Sequence, residues 1–202
     1  MSAMSPPPER FTDHEIDPVF LSRWSRRGFC DEPIAVSQLF TLFEAARWAP
    51  SAKNAQPWRF LYSRRHDANW PVFLDLLYPR NRIWAQRAAA LIAVVSRTVH
   101  KDGDGIRPSP THAFDAGAAW ALLALQAHRD GLNTRAIGGF DRACALKALG
   151  LPGDYEIHAF VAVGRAGPAG KLPDHLQGLE RPTPRRAASE FVAAGLFPWS
   201  DE

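Results

Sequence analysis

The chain is poor in the residues that announce specialised chemistry. Its 202 residues include two cysteines, Cys30 and Cys144. They lack C-x-x-C spacing, which argues against a disulfide framework or a thiolate metal site. The seven histidines are scattered without paired ligand spacing, so no metal is expected. No apolar stretch approaches the ~20 residues of a membrane helix, and no signal peptide opens the chain; a cytoplasmic protein without membrane contact is expected. There is no G-x-S-x-G elbow and no G-x-G-x-x-G fingerprint. The segment from Gly164 to Leu172, GRAGPAGKL, fails as a phosphate loop, which would need glycine at Arg165 and a hydroxyl at Leu172. Lysine is scarce, so the basic residues are nearly all arginine. The formal charge of +3 is small, and no dense basic run suggests a nucleic-acid partner.

What remains is an ordinary globular composition, 46% hydrophobic and 22% charged, which fits one domain with a sizeable core. Residues 1–17 are polar and punctuated by Pro6, Pro7 and Pro8, and read as a flexible tail or an arm lying on a surface. The domain is expected over 18–202.

Four stretches carry candidate chemistry. Arg23-Trp24-Ser25-Arg26-Arg27-Gly28-Phe29 gathers guanidinium forks suited to phosphate. On an extended segment Arg23, Ser25 and Arg27 would project to one side; a solvated basic turn is the plain alternative. Ala49 to Trp58, APSAKNAQPW, follows a helix with Leu39, Leu42, Phe43 and Ala46 on one face, which Pro50 ends near Ala49. Pro57 then leads into alternating Trp58, Phe60 and Tyr62, a strand. The loop between offers Ser51, Lys53, Asn54 and Gln56 as fixed donors and acceptors. Asn133 to Ile137 reads as a short strand ending at Gly138-Gly139, where a backbone can approach a ligand closely. Asp141 caps the next helix and Gly150 closes it. Near the carboxyl terminus, Arg185 and Arg186 precede the apolar Phe191 and Val192.

Other elements follow from periodicity. A helix starts around Trp70 and Pro71. Ala88 to Ser96 and Ile157 to Gly164 are buried strands. Arg97 to Pro110 is a loop. A long helix of about Thr111 to Asp130 has Ser109 and Pro110 as its opening residues and Phe114, Gly117, Ala118, Ala121, Leu122 and Leu125 as an apolar or small stripe. Ala166 to Pro184 crosses the surface as a loop.

The segment A-P-S-x-x-N-x-Q-P-W from Ala49, with R-x-S-x-R-x-F from Arg23, resembles the signature of the nitroreductase-like flavoproteins, over roughly residues 20–192. The resemblance implies an α+β fold with a mixed central sheet flanked by helices, an intertwined homodimer, and FMN rather than FAD. It assigns Arg23, Ser25 and Arg27 to the FMN phosphate and ribityl chain, joined by Arg185 or its rival Arg186. Pro50, Ser51, Asn54 and Gln56 would approach the flavin from one subunit, and Gly138 and Gly139 from the other. Asn81 matches a similar asparagine near the flavin, with a helix cap as the equal alternative. Thr183 stands where the family usually has lysine, and Gly138 where some members carry an acid. The implied activity is oxidation of NADH or NADPH through flavin, with transfer to a nitro compound, quinone or enal-like acceptor in a ping-pong sequence. No side chain is named as a catalytic acid or base. The stretch from Arg97 to Pro110 leaves no room for the long helical insertion that often covers substrate in larger members. A flavin-binding storage or sensor protein without turnover is the alternative.

Overall fold

The computed structural model describes residues 10–199; residues 1–9 of the expected tail lie outside that range. The order is α1 (Pro18–Ser22), α2 (Val36–Arg47), β1 (Trp58–Arg64), α3 (Trp70–Asp75), α4 (Pro79–Ala85), β2 (Ala90–Arg97), β3 (Val99–Asp102), β4 (Gly105–Pro108), α5 (His112–Arg129), β5 (Asn133–Ile137), α6 (Arg142–Ala148), β6 (Tyr155–Gly164) and α7 (Asp174–Gln177).

Four strands form the central sheet in the order β1-β2-β6-β5. The fold is α+β as expected. The sheet read from the sequence as mixed is antiparallel at each of its three ladders among the described residues. β2 is buried on both faces, which explains its unbroken apolar run. Ala90, Ile92 and Val94 pack with α2 and α5, through Leu39, Leu42, Ala119 and Leu123. Leu91, Ala93 and Val95 pack on the other face with Phe73, Leu77 and Trp84 of the α3–α4 region. The β2–β6 register shifts between Val94 and Val95, where Ala159 and Ile157 are the successive partners. His158 is the extra residue, and such a bulge flips side-chain alternation. Accordingly Phe160 and Ala162 share a core with Ile157.

Four expectations about local elements need correction. Arg97 to Pro110 is not an open loop: β3 and β4 pair as a hairpin, turned at Gly103, whose φ of 58° suits glycine. Asn81 is not a cap, since it lies inside the first turn of α4, which opens on Pro79. Ser109 and Pro110 do not open α5, which is capped at Thr111; Ser109 is buried and donates its N–H to Thr98 O at 2.8 Å. The surface segment after β6 is also more structured than a loop, because a short 3-10 turn over Ala169–Lys171 and then α7 place Leu172 and Leu176 in the core.

The long helix shows a partial reversal. α5 buries Asp115, Ala116, Ala119, Leu123, Ala124 and Ala127. The stripe singled out from the sequence is split: Ala118 and Leu122 are half-buried against the core, whereas Gly117 and Ala121 are exposed and Phe114 is 79% exposed.

Candidate functional site

After α1 the chain runs extended from Arg23. Ser25 and Arg27 line a cavity of about 330 Å³ with Arg10, Trp24, Arg135, Arg181, Thr183 and Arg185. Arg23 lines an adjoining cavity of about 640 Å³, which Arg10 and Arg185 also border. Arg186 borders only the second of these. The arginines sit close enough to oppose one another. Burial, and then the charges of Arg10 and Arg185, hold the Arg23 guanidinium below its ordinary pKa. Burial and Arg27 do the same to Arg135. Among the described residues no carboxylate lines the smaller cavity, and Asp13 borders the larger one. Such a concentration of guanidinium groups invites an anion with several acceptor oxygens.

Backbone contacts hold the cluster in place. Arg10 donates to Leu21 O at 2.9 Å and Arg23 O at 2.7 Å, and its Nε reaches Thr183 O at 3.2 Å. The polar segment before Pro18 thus ties two distant stretches together. Arg185 donates to Thr183 Oγ1 at 3.0 Å and Pro184 O at 3.0 Å. Thr183 therefore orients Arg185 at the place where the sequence pattern expects lysine. Arg135 donates to Ser25 O at 2.5 Å. Behind the cluster, His128 Nε2 meets Ser22 Oγ at 2.8 Å. Burial first, then Arg23 and Arg26, depress its pKa, which favours a neutral ring.

Arg27 and Arg135 also line the next cavity, about 480 Å³, with Arg80, Asn81, Trp84, Gly138, Gly139 and His175. Asn81 Nδ2 donates to Gly139 O at 2.9 Å, and Tyr78 N donates to the same oxygen at 3.1 Å. A Cβ on Gly139 would lie 2.5 Å from Asn81 Nδ2, whereas one on Gly138 would meet nothing within 4 Å. Gly139 is needed for packing, and Gly138 leaves bare backbone facing open space. The two cavities share Arg27 and Arg135 and so adjoin as one cleft, with the arginine cluster at one end and Gly138 and Gly139 at the other.

The Ala49–Trp58 loop is not part of this cleft. Asn54 and Gln56 line a separate cavity of about 370 Å³ with Arg47, Trp48 and Ala49. Lys53, Asn54 and Gln56 take left-handed φ of 52°, 54° and 47°, which is costly for residues with a Cβ. The loop is braced all the same. Ser51 Oγ accepts from Gln56 N at 3.0 Å, Gln56 Nε2 donates to Asn54 O at 3.1 Å, and the buried Asp115 accepts Ala52 N at 3.2 Å. Pro50, Ser51, Asn54 and Gln56 therefore stand together, apart from Arg23, Ser25, Arg27, Asn81, Gly138, Gly139 and Arg185.

A family model described as the nitroreductase family matches residues 21–76 and 64–165. The chain belongs to the nitroreductase family. It is similar to an NADH dehydrogenase of Thermus thermophilus, 30% identical over 197 residues, covering 80% of this chain and 91% of that protein. With a nitrobenzene nitroreductase of Ectopseudomonas oleovorans it shares 41% identity over 44 residues, 22% of this chain and only 19% of that protein's length. Among solved structures, an oxidoreductase containing FMN superposes with a TM-score of 0.93 at 38% identity, covering 98% of this chain and all of that one. A nitroreductase from Desulfovibrio desulfuricans, in complex with FMN, gives 0.68 at 25% identity over 93% of this chain and 100% of its own.

Within this nitroreductase-family chain the structure adds residues that the sequence did not single out. Arg10 lay in the presumed tail. Arg135 is a lone cation in a short strand just before Gly138-Gly139, the one position with a readable hint. Glu180 and Arg181 sat in an unremarkable surface stretch.

Proposed function

We propose that the protein is an FMN-dependent oxidoreductase that draws reducing equivalents from NADH or NADPH and delivers them to a small organic acceptor: a nitro compound, a quinone or an enal-like molecule. The observation that carries this reading is the guanidinium cluster around Ser25, continuous with the open backbone at Gly138. A phosphate dianion would neutralise the repulsion that Arg23, Arg10 and Arg185 exert on one another. The donor set fits FMN: Arg23, Ser25, Arg27 and Arg185 at its phosphate and ribityl chain, with Gly138, Gly139 and Asn81 beside its ring. When bound, FMN supplies the two-electron chemistry, accepting hydride from the nicotinamide and giving it to the acceptor.

The chain's own tasks are to bind and to shape. Asn81 fixes the carbonyl of Gly139, and Gly138 offers an N–H without a side chain in the way. Pro50, Ser51, Asn54 and Gln56, remote from the cleft of their own chain, would complete the cleft of a second subunit. That arrangement makes the enzyme a homodimer with two sites, supported by the bare apolar side of α5 and by the exposed Phe191, Leu196 and Phe197. Crowding of the ring by both loops would leave one open face, which donor and acceptor use in turn. The two free cysteines suit a reducing, cytoplasmic setting.

The visible spectrum of the purified protein tests the core of the reading. Bound flavin that bleaches with NADH or NADPH is expected, and mass analysis should give FMN. Flavin that stays oxidised would mark a binding protein without turnover. Steady-state rates over both substrates should give parallel double-reciprocal lines; intersecting lines would mean two separate pockets.

A further inference from the structure

We propose that Glu180 is a positioning residue for the phosphate end of the cleft. Its carboxylate seats the backbone amides of Arg27 and Gly28, and so locks the Arg23–Gly28 segment to the carboxyl-terminal stretch that carries Arg181 and Arg185. The inference rests on the FMN reading above and adds to it a residue that no motif marks. Glu180 Oε1 accepts Arg27 N at 3.0 Å and Gly28 N at 2.8 Å, and Oε2 lies 3.0 Å from Arg27 N. The partners are 152 and 153 residues apart in the chain, so this contact joins the two halves of the cradle. Among the described residues Glu180 makes no ion pair within 4 Å, so its role is not that of an ordinary surface salt bridge.

The segment is built around this contact. Gly167 N donates to Gly28 O at 2.9 Å, and Cys30 N donates to Arg165 O at 3.1 Å, so the continuation of β6 holds the segment from one side. Glu180 holds the amides of Arg27 and Gly28. A Cβ on Gly28 would lie 3.0 Å from Gly167 O and 3.2 Å from Glu180 Oε1, which gives that glycine a reason. Backbone N–H groups away from water need an acceptor, and a carboxylate makes a charge-assisted one. A carboxylate aimed into the cleft would repel phosphate, but this one is engaged by main-chain donors. From there its charge also supports the Arg26 and Arg135 guanidinium groups against burial. The residues that follow then place Arg181, Thr183 and Arg185 along the cavity wall.

The test compares FMN with riboflavin, which lacks the phosphate, by titrating the apoprotein and following flavin fluorescence. Glu180→Ala should raise the Kd for FMN at least about tenfold, as expected when charged hydrogen bonds are lost, and change riboflavin affinity far less. Glu180→Gln, whose side-chain carbonyl can still accept from both amides, should restore most of the preference for FMN. Should the alanine variant fail to fold, Glu180→Asp carries the same test, because it keeps the charge and withdraws the oxygens by one methylene; it should lose preference for FMN. Equal weakening of both flavins, unchanged FMN affinity, or a glutamine variant as poor as alanine would overturn the proposal. A wild-type protein that binds neither flavin would instead overturn the FMN reading itself.

Discussion

The Arg23–Gly28 cradle and the Ala49–Trp58 loop are both polar, arginine-flanked segments near a helix end, yet they are built in opposite ways. The cradle is assembled from across the chain: Arg10, Arg135, Glu180 and Arg185 converge on it by contacts that span from about ten to more than a hundred and fifty residues. The loop is held largely by its own neighbours, through Ser51, Gln56 and Asn54, with Asp115 and the amide of Arg97 as distant braces at Ala52 and Pro57. The cradle faces a cavity in its own subunit. The loop holds three strained residues and borders two other cavities, one beside Trp48 and one beside Val99, apart from the arginine cleft. Strain held away from the chain's own cleft makes sense if the loop serves a neighbour's.

The sharpest way to break this division is to block the surface that would bring the halves together. Ala121 is exposed on α5, so Ala121→Glu should leave the subunit's core intact. It should nevertheless yield a monomer with little or no bound flavin, since an obligate interface buries roughly 2,000–5,000 Å² and tolerates no unpaired charge. Light scattering at low micromolar concentration, with flavin content from the visible spectrum, reads both. A monomer that keeps its full complement of flavin would end the two-subunit picture.

Within the cradle, Arg27→Ala should cost FMN about 1.5–3 kcal/mol, a loss of roughly ten- to more than a hundredfold in affinity. Asn54→Ala, on the loop, should affect FMN and riboflavin alike, because it would act at the ring rather than the phosphate. Titration of both flavins against both variants separates the two ends. Equal effects of Arg27→Ala on FMN and riboflavin would remove the phosphate from the cationic end.

These differences also explain what the sequence could disclose. The loop was legible because it is local: Pro50 and Pro57 bound it, and Trp58 begins β1 where the alternation said it would. The cradle was legible where its residues are adjacent, at Arg23, Ser25 and Arg27, and at Arg185 through the family resemblance. Glu180 and Arg135 act at distances no local pattern encodes. The α5 helix was placed correctly, but its inward face was only half read, since Ala118 and Leu122 pack on the core and Phe114, Gly117 and Ala121 do not. An alanine-rich helix has two small-residue stripes, and periodicity cannot say which one meets the sheet. The β3–β4 hairpin was missed because its four-residue strands are polar and largely exposed, with no apolar alternation to announce them.

A milder intervention acts on a distant brace of the loop, Asp115. Asp115 is 3% exposed and accepts both Ala52 N and Thr111 Oγ1 at 3.2 Å. Asp115→Ala removes a charged acceptor from the part-buried Ala52 amide and should lower stability by about 1–3 kcal/mol. A shift in the urea midpoint with unchanged slope would show it. Binding of riboflavin should suffer with the loop, while the FMN-to-riboflavin preference, set at the cradle, should hold. A lost preference would mean that loop and cradle are not independent.

The smallest effect separates two histidines that burial treats alike. His128 stands behind the cradle, its pKa lowered by burial and then by Arg23 and Arg26. His158 lies in the bulge of β6, bridged to His112 through Ser96 Oγ at 2.6 Å and 2.8 Å. Burial lowers its pKa too, with smaller opposing and assisting charges around it. A depressed histidine pKa means the unfolded chain takes the proton first. Each ring therefore contributes stability that is complete above its unfolded pKa of about 6.5 and is lost as pH falls through its folded value. Acid should thus destabilise the apoprotein from about pH 6.5 downward, and His128→Gln should remove part of that slope. A bound phosphate would offset the charge of Arg23, so saturation with FMN should move the His128 titration upward, toward its ordinary range, and leave His158 in place. Imidazole shifts followed by NMR, with and without FMN, report both rings in one experiment. If both move, or His158 alone, the anion does not sit where the arginines converge. If only His128 moves, a ring that never touches the cofactor reports the charge that the cradle was built to hold.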